Sequence, residues 1–218
     1  MDKIKGYINL FDESADLYQY MVGLSYSDYI DNSVERILSF AEGAETVLSV
    51  GCGNGDIEAK LSGRFDLTVY DTHNAALENH PDLHWVSDLP NGQFDYVYAH
   101  GSVFACIPQD EKQKFIDDIS ARVRDGGTLY ICEGNSKPRS ACRGRRAITI
   151  NGHVVTEYVT KRGEGWNTVT THIWGKAKVD ITYYPADVKD FLSDHSARIR
   201  CVVGGINTHT WPDKPNGN

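Results

Sequence analysis

Short apolar runs that end in glycine or a polar residue recur along the first two thirds of the chain and predict buried strands. These runs are Thr46–Val50, Leu67–Tyr70, Leu83–Val86, Phe94–Ala99 and Thr128–Cys132. Between them, Ile57–Leu61, Ala75–Glu78 and Glu111–Val123 have helical spacing. Strands that alternate with helices predict an α/β fold, a mostly parallel sheet with helices on both faces. Ligands of such folds bind at the carboxyl ends of the strands.

The pattern changes at both ends of this core. Between Tyr7 and Phe40, apolar residues at helical spacing predict two amphipathic helices that form an N-terminal cap. After Glu133, a Thr-, Val- and Tyr-rich stretch predicts two antiparallel strands, 154–161 and 168–174, joined by a glycine turn. We interpret this stretch as a β insertion that covers the site.

The remaining chain is predicted to resume the parent fold with a helix, 185–194, and a strand, 198–203, and to end with at most a short further strand. The chain is therefore expected to be one domain, 1–218. Its parts are a cap (1–43), a core (44–135), a β insertion or lid (136–184) and a C-terminal helix and strand (185–218).

Composition and charge narrow the classes of function. The net charge of −8 disfavours nucleic acid as a partner. No apolar stretch approaches the roughly 20 residues that span a bilayer, and no signal peptide is apparent, so we expect a cytoplasmic protein with no membrane partner. The five cysteines are scattered without metal-ligand spacing, and no metal is predicted. A monomer and a homodimer both stay open.

A glycine-rich loop follows the first predicted strand. Gly51, Gly53 and Gly55 occupy alternate positions in Gly51-Cys52-Gly53-Asn54-Gly55, immediately before a helix, so the backbone can approach a ligand closely. Asp71 ends the second strand, twenty residues after Gly51, where it can accept hydrogen bonds from ribose hydroxyls. Dinucleotide sites use similar geometry. Their sixth-position glycine is replaced here by Asp56, which argues against NAD.

These motifs resemble those of the class I S-adenosylmethionine-dependent methyltransferases, which have a Rossmann-like sheet. The resemblance covers about residues 44–135 and includes the G-x-G-x-G loop, Asp71 and the Ser87-Asp88-Leu89 segment after the third strand. It implies S-adenosyl-L-methionine as cofactor and S-adenosyl-L-homocysteine as product. It also implies a set of cofactor-binding residues: Gly51, Cys52, Gly53, Asp71, Thr72, Ser87, Asp88, Leu89 and His100.

The sequence departs from that family at Ser49, where many members carry an acid that helps to hold the methionine end of the cofactor. The substitution implies either weaker binding or replacement by the N-terminal helix. The resemblance to small-molecule members would place a tyrosine of that helix over the cofactor, with Tyr18 and Tyr26 as candidates. Tyrosines that only pack in the core or lie at the surface are the alternative.

Residues at the strand ends are candidates for the chemistry. His100 follows the fourth strand and is the first choice for a general base, because histidine titrates near neutral pH. Glu133 ends the fifth strand and is the second catalytic candidate. His172 and Trp174 on the β insertion are candidate substrate contacts. Arg143, in the cluster Arg139–Arg146, is a third, because guanidinium groups bind phosphate and carboxylate; a solvated basic loop is the alternative.

The sequence therefore predicts an enzyme that transfers a methyl group to a nitrogen or oxygen of a small-molecule acceptor. The cap and the β insertion look like those of sugar N-methyltransferases and glycine/sarcosine-type enzymes. Ala99-His100-Gly101-Ser102 lacks the Pro-Pro-Tyr motif of amino-methylating DNA enzymes. A protein or peptide methyltransferase with an open groove is one alternative. A catalytically silent, cofactor-binding pseudo-methyltransferase, supported by Ser49, is the other.

Overall fold

The computed structural model describes residues 26–132, 146–150, 153–173, 177–192 and 198–204. Helices in these ranges are α1 (Tyr26–Leu38), α2 (Asp56–Leu61), α3 (Ala75–Asn79), α4 (Val103–Cys106), α5 (Lys112–Ser120) and one 3₁₀ helix (Val188–Phe191). The strands are β1 (Thr46–Val50), β2 (Asp66–Tyr70), β3 (His84–Val86), β4 (Phe94–Ala99), β5 (Val123–Cys132), β6 (Arg146–Ile150), β7 (His153–Gly163), β8 (Trp166–Ile173), β9 (Ala177–Tyr183) and β10 (Arg200–Gly204).

Six strands form one sheet in the order β10-β5-β4-β1-β2-β3, and every neighbouring pair in it is parallel. The predicted α/β fold with a parallel sheet is confirmed. The strand order reverses between the neighbouring strands β1 and β4, because the chain returns from β3 at one edge to place β4 on the other side of β1. The carboxyl ends of β1 and β4 therefore define a crevice.

Alternate side chains of the sheet enter two separate cores, as the period of two in a strand requires. Leu48 and Val97 are fully buried in the core that includes α4 and α5. Val47 and Tyr98 are fully buried in the other core, with α1 and the end of α2. Ser49 belongs to the same alternation as Val47, so it lies on the α1 and α2 side of the sheet.

The fifth strand begins earlier than predicted. It begins at Val123 and not at Thr128, so it includes the Asp125-Gly126-Gly127 segment. The pairing of β4 with β5 is irregular here, because Phe94 pairs with Val123 but Tyr96 pairs with Thr128. A Cβ atom on Gly127 would lie 2.8 Å from the carbonyl oxygen of Asp95. The glycines therefore let the strand bulge where it passes close to β4.

The predicted β insertion is present, but it has four strands where two were predicted. Strands β6-β7-β8-β9 form one antiparallel sheet in chain order. The predicted glycine turn joins β7 to β8, and Gly165 adopts φ 72° there. Strands β6 and β9 extend the hairpin on its two edges. Strand β9 of this antiparallel sheet contacts helix α4, which packs on the parallel sheet.

The prediction of a helix over 185–194 is wrong. The described part of this range, 185–192, contains one 3₁₀ turn, Val188–Phe191. Asp187 is extended, and its side chain accepts a hydrogen bond from the Lys189 amide at 2.9 Å, so the turn starts after Asp187 and not at Pro185. At the N-terminus, α1 confirms the second predicted amphipathic helix, while the first lies outside the described residues. The division into cap, core, lid and C-terminal part stays a prediction.

Candidate functional site

A cavity lies at the carboxyl ends of β1, β2 and β4, where the parallel sheet predicts a ligand site. Six of the predicted cofactor-binding residues line it: Gly51, Cys52, Gly53, Asp71, Thr72 and His100. The fold therefore brings together residues from three separate strand ends. The cavity wall is completed by further residues of α1, α2 and the β4–α4 connection that the sequence patterns did not assign to the site, including Tyr29, Glu58 and Ser102.

Asp71 holds the glycine loop against the end of β2. Its carboxylate accepts hydrogen bonds from the Gly53 amide at 2.8 Å and from the His73 amide at 3.1 Å. The Gly51 amide donates to the Tyr70 carbonyl at 2.8 Å, which adds a second link between the loop and β2. Burial raises the pKa of the Asp71 carboxyl, although these amide hydrogen bonds oppose the shift. A carboxylate offers about four lone-pair positions, so Asp71 retains the capacity to accept further hydrogen bonds.

Two glycines of the loop are required by packing as well as by ligand access. Gly51 adopts φ 76°, and a Cβ atom there would lie 2.5 Å from a methyl carbon of Val103. Gly55 adopts φ 81°, and its Cβ atom would lie 2.9 Å from that of Ala76. Both positions are therefore sterically closed to larger residues, whichever ligand binds.

The Ser87-Asp88-Leu89 segment follows the carboxyl end of β3, which is parallel to the strands that end at the cavity. Ser87 and Asp88 are exposed, the Ser87 hydroxyl donates to the Asp88 carboxylate at 3.1 Å, and Leu89 packs against the α4 and α5 core. None of the three lines the cavity. Asp88 is nevertheless close enough to Tyr70, a cavity residue, to contribute to raising its pKa, after burial and Asp71. Cofactor contacts from this segment stay a prediction.

Glu58 is a cavity residue that the sequence patterns missed. It lies on α2, is 2% exposed, and its Oε1 accepts hydrogen bonds from the Ser49 hydroxyl at 2.7 Å and the Tyr98 hydroxyl at 2.9 Å. Burial raises the pKa of its carboxyl, opposed by these hydroxyl donors. The signal for it was the charge itself, because the inner side of a helix behind a buried strand is normally apolar.

His100 is held beneath α1. Its Nε2 lies 2.9 Å from the Ser33 hydroxyl, and its Nδ1 lies 3.5 Å from the Tyr130 hydroxyl. Burial, with a smaller contribution from Arg36, lowers the pKa of His100 to about 4, so the ring is neutral at pH 7. The structure thus places the predicted general base in the cavity wall with Nε2 engaged by α1.

Tyr29 is the aromatic residue that α1 contributes to the cavity. Its ring centroid is 6.3 Å from that of His100, and its hydroxyl would lie 3.7 Å from a Cβ atom on Gly101. The sequence prediction had named Tyr18 and Tyr26. Tyr26 begins α1, and its side chain is outside the described set, as is the whole of Tyr18. The spacing of Tyr29, Ser33 and Arg36 beside the apolar stripe of α1 was the available signal.

The remaining candidates lie elsewhere. His172 is on β8, paired with Thr156 of β7 and Lys178 of β9, and it does not line the cavity. Glu133, Arg143 and Trp174 lie outside the described residues. Their predicted roles stay predictions.

The described ranges contain neither a cluster of metal-binding side chains nor a membrane-spanning helix. No three His, Cys, Asp or Glu residues there lie together as a metal site. No helix in the described part of the chain is both long and apolar enough to cross a membrane.

The parallel sheet order, the glycine loop after β1 and the acid that ends β2 define the fold of the class I S-adenosylmethionine-dependent methyltransferases. Among solved structures, the chain is similar to CalS10 from Micromonospora echinaspora, described as an amino pentose methyltransferase of calicheamicin biosynthesis. The TM-score is 0.62 with 17% identity over 83% of this chain and 86% of CalS10.

Two further structures have the same fold. DesVI from Streptomyces venezuelae matches with a TM-score of 0.59 and 16% identity over 84% of this chain and 86% of DesVI. KedS8 from a Streptoalloteichus species, described as a sugar N-methyltransferase, matches with a TM-score of 0.60 and 16% identity over 84% of this chain and 82% of KedS8. No protein-family model matches the chain, and no curated protein sequence matches it significantly.

Proposed function

We propose that the protein is an S-adenosylmethionine-dependent methyltransferase that acts on a nitrogen or oxygen of a small molecule. The observation that carries the proposal is the Asp71 carboxylate, which closes the glycine loop through Gly53 at the crossover point of the sheet. A buried acid at this place suits the two ribose hydroxyls of a nucleoside.

Methyl transfer from a sulfonium is an in-line displacement, so the protein must align the acceptor and exclude water. The cavity wall from α1 contributes Tyr29 over this space. His100 is the candidate base for a protonated acceptor. A pKa of about 4 makes it a weak base, and the Ser33 hydroxyl occupies its Nε2, so we expect its main contribution to be orientation of the acceptor.

The acceptor class that we favour is the amine of an amino sugar. The support is the likeness to CalS10 and KedS8, whose descriptions name an amino pentose and a sugar nitrogen as the methylated group. The four-stranded sheet β6–β9, inserted after β5, is the part of the chain that we expect to contact this acceptor. A silent cofactor-binding protein is not favoured. Its sole support was the missing acid at Ser49, and the Glu58 carboxylate lies against that serine.

The proposal is tested by calorimetric titration of S-adenosylmethionine into the wild-type chain, the variant Asp71→Ala and the matched control Asp66→Asn. Asp66 is exposed at the opposite end of the same strand. We expect wild type and Asp66→Asn to bind alike and Asp71→Ala to lose binding. A wild-type chain that does not bind the cofactor would overturn the proposal.

Methyl transfer is then measured as formation of S-adenosylhomocysteine with a panel of amino sugars and their hydroxyl counterparts. Turnover with the amine and not with the alcohol is expected. Turnover with a peptide panel alone would favour the protein-methyltransferase alternative.

A further inference from the structure

The Glu58 carboxylate is incompletely hydrogen-bonded. Its Oε1 accepts from two hydroxyl groups, those of Ser49 and Tyr98, whereas its Oε2 has almost no contact with solvent and no hydrogen-bond partner among the described residues. Neither protonation state satisfies this oxygen. An ionised Oε2 lacks a donor, and a protonated Oε2 lacks an acceptor, so either state is costly when buried.

Only one of the buried side-chain atoms left without a partner belongs to the cavity. Within the described ranges these atoms are Glu58 Oε2, Trp85 Nε1, Ser120 Oγ and Arg122 Nε. Glu58 lines the cavity and the other three residues do not. An unpartnered atom in a ligand-binding wall is most simply completed by the ligand.

The charges around Glu58 indicate what kind of group completes it. The groups that act on its carboxyl are the hydroxyls of Ser49 and Tyr98, its own backbone amide and the carboxylate of Asp71, and its charge in turn contributes to raising the pKa of the Cys52 thiol. No lysine or arginine is among the described residues that line the cavity. The described part of the wall therefore carries two carboxyl groups and no permanently cationic side chain, and it suits a ligand with a positive charge.

S-adenosylmethionine carries two positive groups, a sulfonium and an α-ammonium, and only the ammonium has N–H donors. We propose that Glu58 binds the α-ammonium of the cofactor, so that α2 supplies the acid that Ser49 of β1 lacks. This inference rests on the proposed function. The Glu58 carboxylate turns toward the cavity when it binds, and the Ser49 and Tyr98 hydroxyls can follow it because O–H groups rotate.

The test compares three ligands by calorimetric titration: S-adenosylmethionine, S-adenosylhomocysteine and 5′-methylthioadenosine. The second keeps the ammonium without the sulfonium charge, and the third keeps the nucleoside without the amino-acid end. The variant is Glu58→Gln, which preserves size and leaves an oxygen for the two hydroxyl donors. The matched control is Glu42→Gln, an exposed carboxylate in the turn that precedes β1.

We expect Glu58→Gln to weaken the binding of S-adenosylmethionine and of S-adenosylhomocysteine by the same factor, about 10- to 100-fold, because a charge-assisted hydrogen bond is lost. Binding of 5′-methylthioadenosine is expected to be unchanged, which also demonstrates that the variant is folded. Equal weakening of all three ligands would assign Glu58 a purely structural role. Weakening of S-adenosylmethionine alone would assign it to the sulfonium, and no weakening would exclude any contact; each of these results overturns the inference.

A second pair of variants guards against a misfolded glutamine variant. Ser49→Asp combined with Glu58→Ser returns the carboxylate to the strand and keeps the net charge. We expect this exchange to bind S-adenosylmethionine at least tenfold more tightly than Glu58→Ser alone, and equal affinities would contradict the inference. A wild-type chain that does not bind S-adenosylmethionine defeats the proposed function and the inference with it, whereas binding that is indifferent to Glu58 defeats the inference alone.

Discussion

Buried polar side chains occur in both sheets of the molecule, but they are completed differently. In the antiparallel sheet, the Thr170 hydroxyl is hydrogen-bonded to the side chains of Thr160 and Asp180. The Thr168 hydroxyl is hydrogen-bonded to the Thr182 hydroxyl at 2.9 Å. Around the parallel sheet, Glu58 keeps an unpartnered oxygen in the wall of the cavity. All four unpartnered atoms found in the described residues belong to the parallel-sheet region.

This contrast indicates which of the two sheets binds a ligand. A polar group that is satisfied by its neighbours contributes to folding and needs nothing more. A buried polar group that lacks a hydrogen-bond partner lowers stability, and such a group is retained where a bound ligand supplies the missing partner. We therefore interpret the parallel sheet as the part that binds the cofactor and the antiparallel sheet as a self-contained platform.

The largest expected effect concerns the apolar core of the parallel sheet. Leu48 of β1 is fully buried, and Leu48→Ala is expected to lower the free energy of unfolding by about 2–5 kcal/mol because it removes packed methyl groups and leaves a cavity. The measurement is the midpoint of urea unfolding. Val154→Ala on the antiparallel sheet is the control, because Val154 is 44% exposed and should change stability by less than about 0.5 kcal/mol. Similar losses of stability for both variants would contradict the assignment of the main apolar core to the parallel sheet.

A smaller effect is expected in the antiparallel sheet. Thr170→Val keeps the shape of a fully buried residue but removes the hydroxyl that bonds Thr160 and Asp180. We expect a loss of about 1 kcal/mol in the free energy of unfolding and no change in cofactor affinity. Both are measured on the same sample, by urea unfolding and by calorimetry. A large change in cofactor affinity would show that this sheet is coupled to the cavity and is not self-contained.

The sequence patterns predicted the parallel sheet well, because each strand is an apolar run whose end is marked by a residue with a backbone role, such as Gly51. They predicted the Asp71 end of the cavity for the same reason. Strand β9 alternates apolar Ala177, Val179 and Ile181 with polar residues, and this period of two was readable although we predicted only a hairpin.

The positions of Glu58 and Tyr29 in the cavity could not be predicted from the sequence, although the charge of Glu58 and the helical spacing of Tyr29 were visible in it. Each lies on a helix, and its place in the cavity depends on how that helix packs against the sheet, which local patterns do not specify. Ser33 is 4% exposed, and its contact with His100 joins residues 67 positions apart. The missing acid at Ser49 implied either weaker binding or a replacement from the N-terminal helix, whereas the structure has the Glu58 carboxylate of α2 against Ser49, nine positions along the chain.

The smallest expected effect is in the pH dependence of stability, and it concerns the incomplete group directly. Burial raises the pKa of Glu58 in the folded chain, whereas the unfolded chain ionises near the ordinary carboxyl value. As pH rises between these two values, the unfolded state releases a proton that the folded state keeps, so the stability of the cofactor-free protein decreases. The raised pKa of Asp71 lowers stability in the same direction. Cys52 stays a thiol in this range because burial raises its pKa well above the ordinary value of 9.

Glu58→Gln removes only the share of Glu58, so its stability relative to wild type is expected to rise with pH across this window and to be level on either side of it. Thermal unfolding of both proteins without cofactor, from pH 4 to pH 8, measures the difference, in which the contribution of Asp71 cancels apart from its Coulomb coupling to Glu58. The exposed Glu42→Gln variant should show no such trend. A difference that is constant with pH would mean that the buried carboxyl ionises normally in the folded chain, and the contrast between the two sheets would then rest on packing alone.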